Sequence, residues 1–294
     1  MRATARLVAR ADRHGRTTLA ELRGESPLLL RQVPAGDGGV TVYVVGGAAG
    51  PLAGDDLRLD VEVGPGARVR MHTVAASIAL PGRPGAVSRM LVRATVAERA
   101  ALHWLPEQLV AAAGCAHVAD AEVDVAEDGV LHWRDELICG RHGEQPGRAE
   151  VNTGVDLAGR PLLRQSLAVG PDAPGWAGPA VLGGAPATGS LLVVDPARPT
   201  EPPAVRGTVA RLPLTGGTAT LWTATAPDAH TLRTLLESER EQLLAAPDSI
   251  AVPVDGEGTE VVRVGGGRRG ATDRVDRSGR RLGGGARPVR QTAS

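Results

Sequence analysis

The sequence predicts a mainly β protein, built sheet on sheet or as a coil of sheets, and three observations carry that expectation. Apolar and charged residues alternate over short runs, the runs recur at regular spacing, and Gly- and Pro-rich turns separate them. Leu57, Leu59, Val61 and Val63 alternate with Arg58, Asp60 and Glu62, which sets one face in a core and the other in water. Gly64-Pro65-Gly66 turns the chain, and Val69, Met71 and Thr73 then alternate with Arg68, Arg70 and His72. Further runs fall at 90–96, 121–125, 130–137, 191–194 and 218–225. Asp128-Gly129 between two of them is a hairpin signal, and pairing is expected to be mainly antiparallel.

One helix is predicted over residues 228–245. Asp228 can cap it, Leu232, Leu235, Leu236 and Leu243 share one face, Glu237, Glu239, Arg240 and Glu241 point outward, and Pro247 marks its end. A shorter helix is expected over 105–113. Residues 171–187, rich in Gly and Pro and carrying Trp176, read as a long ordered loop. From Gly265 the chain holds eight arginines against Asp273 and Asp276, a net charge of +6, with almost no apolar residues. The expected organisation is therefore one β-rich domain over 1–264 and a disordered Arg/Gly-rich tail over 265–294.

Composition excludes whole classes of chemistry. All 33 basic residues are Arg. Without a lysine amine there can be no Schiff-base or pyridoxal phosphate enzyme, no Ser-Lys hydrolase and no P-loop NTPase. Phe is absent and only one Tyr and four Trp are present, so base-stacking platforms are not expected and nucleic acid is not an expected partner. Arg2, Arg6, Arg10 and Arg13 interrupt the N-terminal apolar residues, and no apolar run approaches the roughly 20 residues that span a bilayer. A soluble, cytoplasmic protein with no membrane partner is expected. The Gly-rich stretch from Val45 to Asp56 is no phosphate loop, because Asp55 and Asp56 would face the anion and a strand pattern follows where a helix should open.

Several groupings could carry chemistry. Cys115-Ala116-His117 and Cys139-Gly140-Arg141-His142 form the Cys/His grouping of the chain, with His103 and His132 near in sequence. Cys115, His117, Cys139 and His142 would suit zinc or nickel, although the spacing matches no zinc finger or ribbon and small buried Cys residues are common in cores. Asp55, Asp56, Asp135, Glu136 and Glu144 sit beside turns or strand ends, where carboxylates either bind a hard cation, exchange protons, or cap their own backbone. Ser77, Thr73 and His72 could join Asp55 in a nucleophilic site, but no serine lies in a GxSxG elbow. Arg141 and Glu144 are close enough to hold their own loop together. Trp104-Leu105-Pro106 is either a strand end packing on the core or a partner surface.

Three motifs in order give the chain a family resemblance. GPLAGDDLRLDVEV from Gly50 with VRMHTVAAS ending at Ser77, ALHWLPEQLV from Ala101, and DELICGRHGE from Asp135 to Glu144 resemble the Gly-rich turn, Trp-Leu-Pro segment and Gly-Arg…Gly-Glu run of the urease accessory protein D family. The resemblance covers roughly residues 1–245. Ile78 departs from it, standing where the family usually has Lys. It implies stacked sheets in a helical, β-helix-like arrangement in a single domain with a few helices. It also implies a non-enzymatic scaffold that binds apo-urease, recruits the accessory F protein and through it the G GTPase, and helps to deliver Ni²⁺. No tightly bound cofactor is implied, only transient Ni²⁺, and an internal tunnel would place Asp55, Ser77 and Asp135 on the metal's path. From the residues alone, a Cys/His metal-dependent enzyme and a β-rich interaction module without a metal role stay open.

Overall fold

A computed structural model describes residues 1–245. The expected tail over 265–294, the domain limit at 264 and the helix end near Pro247 lie outside the described residues. The strands are β1 (Arg2–Ala11), β2 (Thr17–Arg23), β3 (Leu28–Val33), β4 (Val40–Gly46), β5 (Asp56–Val63), β6 (Arg68–Thr73), β7 (Ser77–Ala79), β8 (Ser88–Val96) and β9 (Ala101–Trp104). They continue with β10 (Leu109–Ala111), β11 (Ala116–Val125), β12 (Val130–Ile138), β13 (Arg148–Leu157), β14 (Arg160–Val169), β15 (Ala187–Val194), β16 (Ala204–Arg206), β17 (Val209–Pro213) and β18 (Ala219–Ala226). A single helix among the described residues, α1 (Ala229–Ala245), follows.

The strands make two stacked sheets. Sheet one runs β14-β13-β11-β8-β5-β1-β2, and sheet two runs β16-β17-β18-β15-β12-β9-β6-β4-β3, with β10 paired to β12 and β7 to β10. Between β4 and β13 the chain alternates between the sheets, so each turn of the coil lays one strand in each. The pairs β1–β5, β5–β8, β8–β11 and β11–β13 are all parallel, as are β4–β6, β6–β9 and β9–β12. This corrects the antiparallel expectation for the centre of the molecule. Parallel neighbours need a long crossover, and here the crossover is a strand of the opposite sheet. Periodicity is the same in either case, so the alternation could not separate them. Antiparallel pairing survives at the ends, in β1–β2, β3–β4, β13–β14 and the β12–β15–β18–β17–β16 run.

Asp128-Gly129 is accordingly an arch between sheets and not a hairpin, since β11 and β12 belong to different sheets. It stacks on the arch of the preceding coil: its Ala126 N–H donates to Val96, as Ala97 N–H donates to Val63 one coil earlier and Ala158 N–H to Val125 in the turn that follows. The Asp128 carboxylate accepts from the Arg99 amide at 3.0 Å, which ties one arch to the next. The expected helix over 105–113 is also absent. That segment leaves sheet two as irregular chain and enters the short strand β10, because its backbone pairs in parallel with β7 and β12.

The core lies between the sheets. Leu59, Val61 and Val63 of β5, Val92, Ala94 and Val96 of β8, and Val123 and Val125 of β11 meet Val42, Met71, Leu102, Leu131 and Trp133 of sheet two. With no Phe to fill space, Trp104 and Trp133 stack across neighbouring strands at 5.4 Å and supply the bulk. The outward face of sheet one carries paired charges, Arg6 with Glu62 at 3.1 Å and Arg58 with Asp60 at 2.8 Å among them. α1 packs on the outer face of sheet two, where Leu232 and Leu236 are fully buried with Leu191, Val193 and Trp222. Its cap is as expected, with the Thr231 amide donating to Asp228 Oδ1 at 2.7 Å and the Thr231 hydroxyl donating to Oδ2 at 2.9 Å. No helix among the described residues is long and apolar enough to cross a membrane.

Candidate functional site: a cavity between the sheets

The inward positions at one end of the stack are small. Ala119 and Ala121 of β11 and Thr153 of β13 face sheet two where Leu or Val would be needed to fill the gap, and a cavity of about 450 Å³ results. Asp55, Ser77 and Asp135 all border it, as do Thr73, His117 and Asn152. No arginine borders it among the described residues.

Asp55 closes the Gly-rich turn. It is 7% exposed; its Oδ1 accepts from the Met1 amino group at 2.6 Å and its Oδ2 from the Leu52 amide at 2.9 Å. Burial raises its pKa, but those two hydrogen bonds outweigh it and hold the carboxyl below its ordinary value. Gly50 makes the turn reachable. Its φ is +139°, and a Cβ there would stand 2.9 Å from the same Leu52 nitrogen.

Asp135 faces inward from β12, beside Trp133. Its Oδ2 accepts from Trp133 Nε1 at 2.9 Å and from the Thr153 hydroxyl of the opposite sheet at 2.8 Å. Among the described residues its Oδ1 accepts no hydrogen bond. The residue is half-buried by area, but the space it meets is the cavity and not bulk water, and burial pushes its carboxyl up. Ser77 is exposed, at the start of β7, and its amide donates to the Gln108 carbonyl at 3.0 Å.

The other predicted residues separate into structural roles. Trp104 and Leu105 are each 6% exposed. Trp104 packs in the core between the sheets and Leu105 under α1, while the Leu105 and Pro106 carbonyls accept from Arg134 Nη2 at 3.4 and 2.9 Å. Trp104-Leu105-Pro106 therefore joins the two cores. Arg141 and Glu144 form an exposed pair in which Glu144 also accepts from the Ala113 and Arg141 amides. The Arg141 guanidinium first, and the Ala113 amide second, bring Glu144 down to about 2.

Cys115 and Cys139 are buried free thiols in an apolar cluster with Leu137, Val169 and Leu182, and burial pushes Cys139 up to about 11. His142 lies on an exposed turn, whereas His117 is 2% exposed at the cavity wall. Among the described residues no three His, Cys, Asp or Glu side chains gather as a metal site. Cys115 and Cys139 share a cluster, but among the described residues His117 and His142 do not join them as a ligand set.

A second feature escaped the sequence pattern. Arg134 and Glu136 point outward from β12, which alone would read as a solvent face, yet they are 3% and 6% exposed because α1 covers them. Arg233 of α1 donates to Glu136 at 2.7 and 2.6 Å and to Glu107 at 2.9 and 3.3 Å, and Arg134 pairs with Glu237. Trp222 Nε1 donates to Glu239 at 3.0 Å. Glu237 and Glu239 are thus docking groups and not a solvent face.

Residues of all three resemblance motifs border the cavity: Asp55 and Ser77 from the first, Trp104 and Pro106 from the second, and Asp135 from the third. A family model described as UreD urease accessory protein matches residues 1–252. The chain belongs to the UreD urease accessory protein family. It is 44% identical over 246 residues to the urease accessory protein UreD of Streptomyces avermitilis, covering 83% of this chain and 98% of that protein. It is similarly 44% identical over 241 residues to UreD of Streptomyces coelicolor, with 81% and 94% covered. To the urease accessory protein UreD 3 of Streptomyces griseus it is 46% identical over 250 residues, with 83% and 97% covered. The UreD match takes in every residue that borders the cavity, from Pro27 to Thr153.

Proposed function

We propose that this chain is a non-catalytic scaffold of urease maturation, which binds apo-urease, recruits the accessory F protein and through it the G GTPase, and lets Ni²⁺ pass along the cavity. The observation that supports the path most directly is that Asp55 and Ser77 of the first motif and Asp135 of the third border one cavity that no arginine borders among the described residues. A moving divalent cation needs spaced oxygen ligands, and a closed ligand set would trap it. Asp135 suits such a role. Its Oδ1 accepts no hydrogen bond among the described residues, and burial disfavours its bare charge, which a passing cation would offset. The Cys/His enzyme has no converging side chains to support it among the described residues.

The test is a double variant, Asp55→Ala with Asp135→Ala, assayed in nickel loading of apo-urease alongside capture by the F-type protein. Lower loading with unchanged capture is expected. Full urease activation by the double variant would remove the path, and failure of the wild-type chain to capture the F-type protein would remove the scaffold.

A further inference from the structure

Ser88 and His117 form a pair that neither the metal path nor the fold's apolar packing uses. Both point inward from sheet one: Ser88 pairs in register with His117, and Asp55 stands just before β5 at the position beside Ser88, where its carbonyl accepts from the Arg89 amide at 2.7 Å. Ser88 is fully buried. Its Oγ lies 3.1 Å from the Ala116 carbonyl and 2.9 Å from His117 Nδ1.

A hydroxyl has one proton to donate, and a carbonyl oxygen can only accept. The Ser88 proton therefore goes to Ala116, and in the contact with His117 the imidazole is the donor. That fixes the Nδ1–H tautomer and leaves the lone pair on Nε2. Among the described residues nothing hydrogen-bonds to Nε2, and His117 borders the cavity.

We propose that His117 is a nitrogen donor for a transition-metal ion passing through the cavity, and that Ser88 is the positioning residue that keeps Nε2 unprotonated. This role rests on the cation path proposed above and adds selectivity to it. Oxygen ligands suit Mg²⁺ and Ca²⁺ as well as Ni²⁺, whereas a neutral imidazole favours Ni²⁺ and its neighbours in the first transition row. No third strong donor stands with it among the described residues, so the contact is transient and not a resident site.

The experiment uses the full chain with ¹⁵N-labelled histidine, Ni²⁺ as the probe and Mg²⁺ as the control. Long-range ¹⁵N–¹H correlation is expected to report Nδ1–H for His117, and substoichiometric Ni²⁺ to broaden its ring signals while excess Mg²⁺ leaves them sharp. Ser88→Ala should move the ring toward the Nε2–H tautomer and weaken the Ni²⁺ response about 10-fold, the scale on which such supporting partners act. His117→Gln should slow nickel loading of apo-urease several-fold with capture of the F-type protein unchanged. An Nε2–H tautomer in the wild type, or sharp His117 signals at equimolar Ni²⁺, overturns the proposal. If the Asp55/Asp135 double variant loads poorly and His117→Gln loads at the wild-type rate, the role of His117 alone falls; if the double variant loads normally, the path falls. Should His117→Gln not fold, the tautomer and broadening of Ser88→Ala decide.

Discussion

His103, His117 and His132 are held neutral by burial, which pushes the first two down to about 4 and His132 to about 2. His132 stacks on His103 at 4.1 Å, and among the described residues its Nδ1 has no hydrogen-bond partner. In the unfolded chain each would take a proton near its ordinary pKa of roughly 6.5. The unfolded state then binds more protons, so stability is complete above about pH 6.5 and falls as the pH drops, by about 1.4 kcal/mol per unit for each histidine. Asp135, raised by burial, takes up its proton in the folded state first and offsets part of the loss. Urea midpoints at pH 7.5, 6 and 5 should fall steeply, and His132→Gln should flatten the dependence; a constant midpoint would contradict it. Gly50→Ala is expected to cost about 1–3 kcal/mol by forcing a side chain into a glycine-only conformation. Thermal unfolding reads that loss, and a variant as stable as wild type would show that the turn relaxes.

At the scale of elements, α1 is held by a buried ion network as well as by Leu232 and Leu236. Glu136 is nearly inaccessible and takes two hydrogen bonds from Arg233. Arg233→Ala leaves that carboxylate buried with Arg134 Nε, 3.3 Å away, as its remaining charged partner, which is expected to cost about 1–3 kcal/mol. Asp228→Ala, which removes only the cap, should cost about 1 kcal/mol. Hydrogen exchange across 229–245 separates the two: broad deprotection of α1 for Arg233→Ala, fraying of the first turn for Asp228→Ala. Equal protection in both variants would show that the apolar face suffices.

For the whole molecule, the parallel coil leaves space where its inward residues are small. Ala121→Leu should fill part of the cavity, leaving the thermal midpoint unchanged or slightly higher, since an added side chain there meets open space and not packed atoms. On the proposed path it should nevertheless lower nickel loading of apo-urease, with capture of the F-type protein retained. Undiminished loading by a folded Ala121→Leu protein would show that metal does not pass this point.

The strand runs and α1 with its Asp228 cap were legible in sequence, because alternation and helical periodicity are local patterns, and the family motifs singled out Asp55, Ser77 and Asp135, which border one cavity. Parallel pairing was not legible, since a strand alternates in the same way whichever direction its neighbour runs, and neither was the burial of Arg134 and Glu136, which depends on α1 arriving about 100 residues later in the chain. The sequence by itself determined that this protein is β-rich, lacks a lysine amine and resembles the urease accessory D family. Only the tertiary structure decided which of its polar residues share a space. A coil that lays one strand per turn in each sheet stacks residues tens of positions apart, bringing Asp55, His117 and Asp135 to one cavity while sending Cys139 and His142 elsewhere.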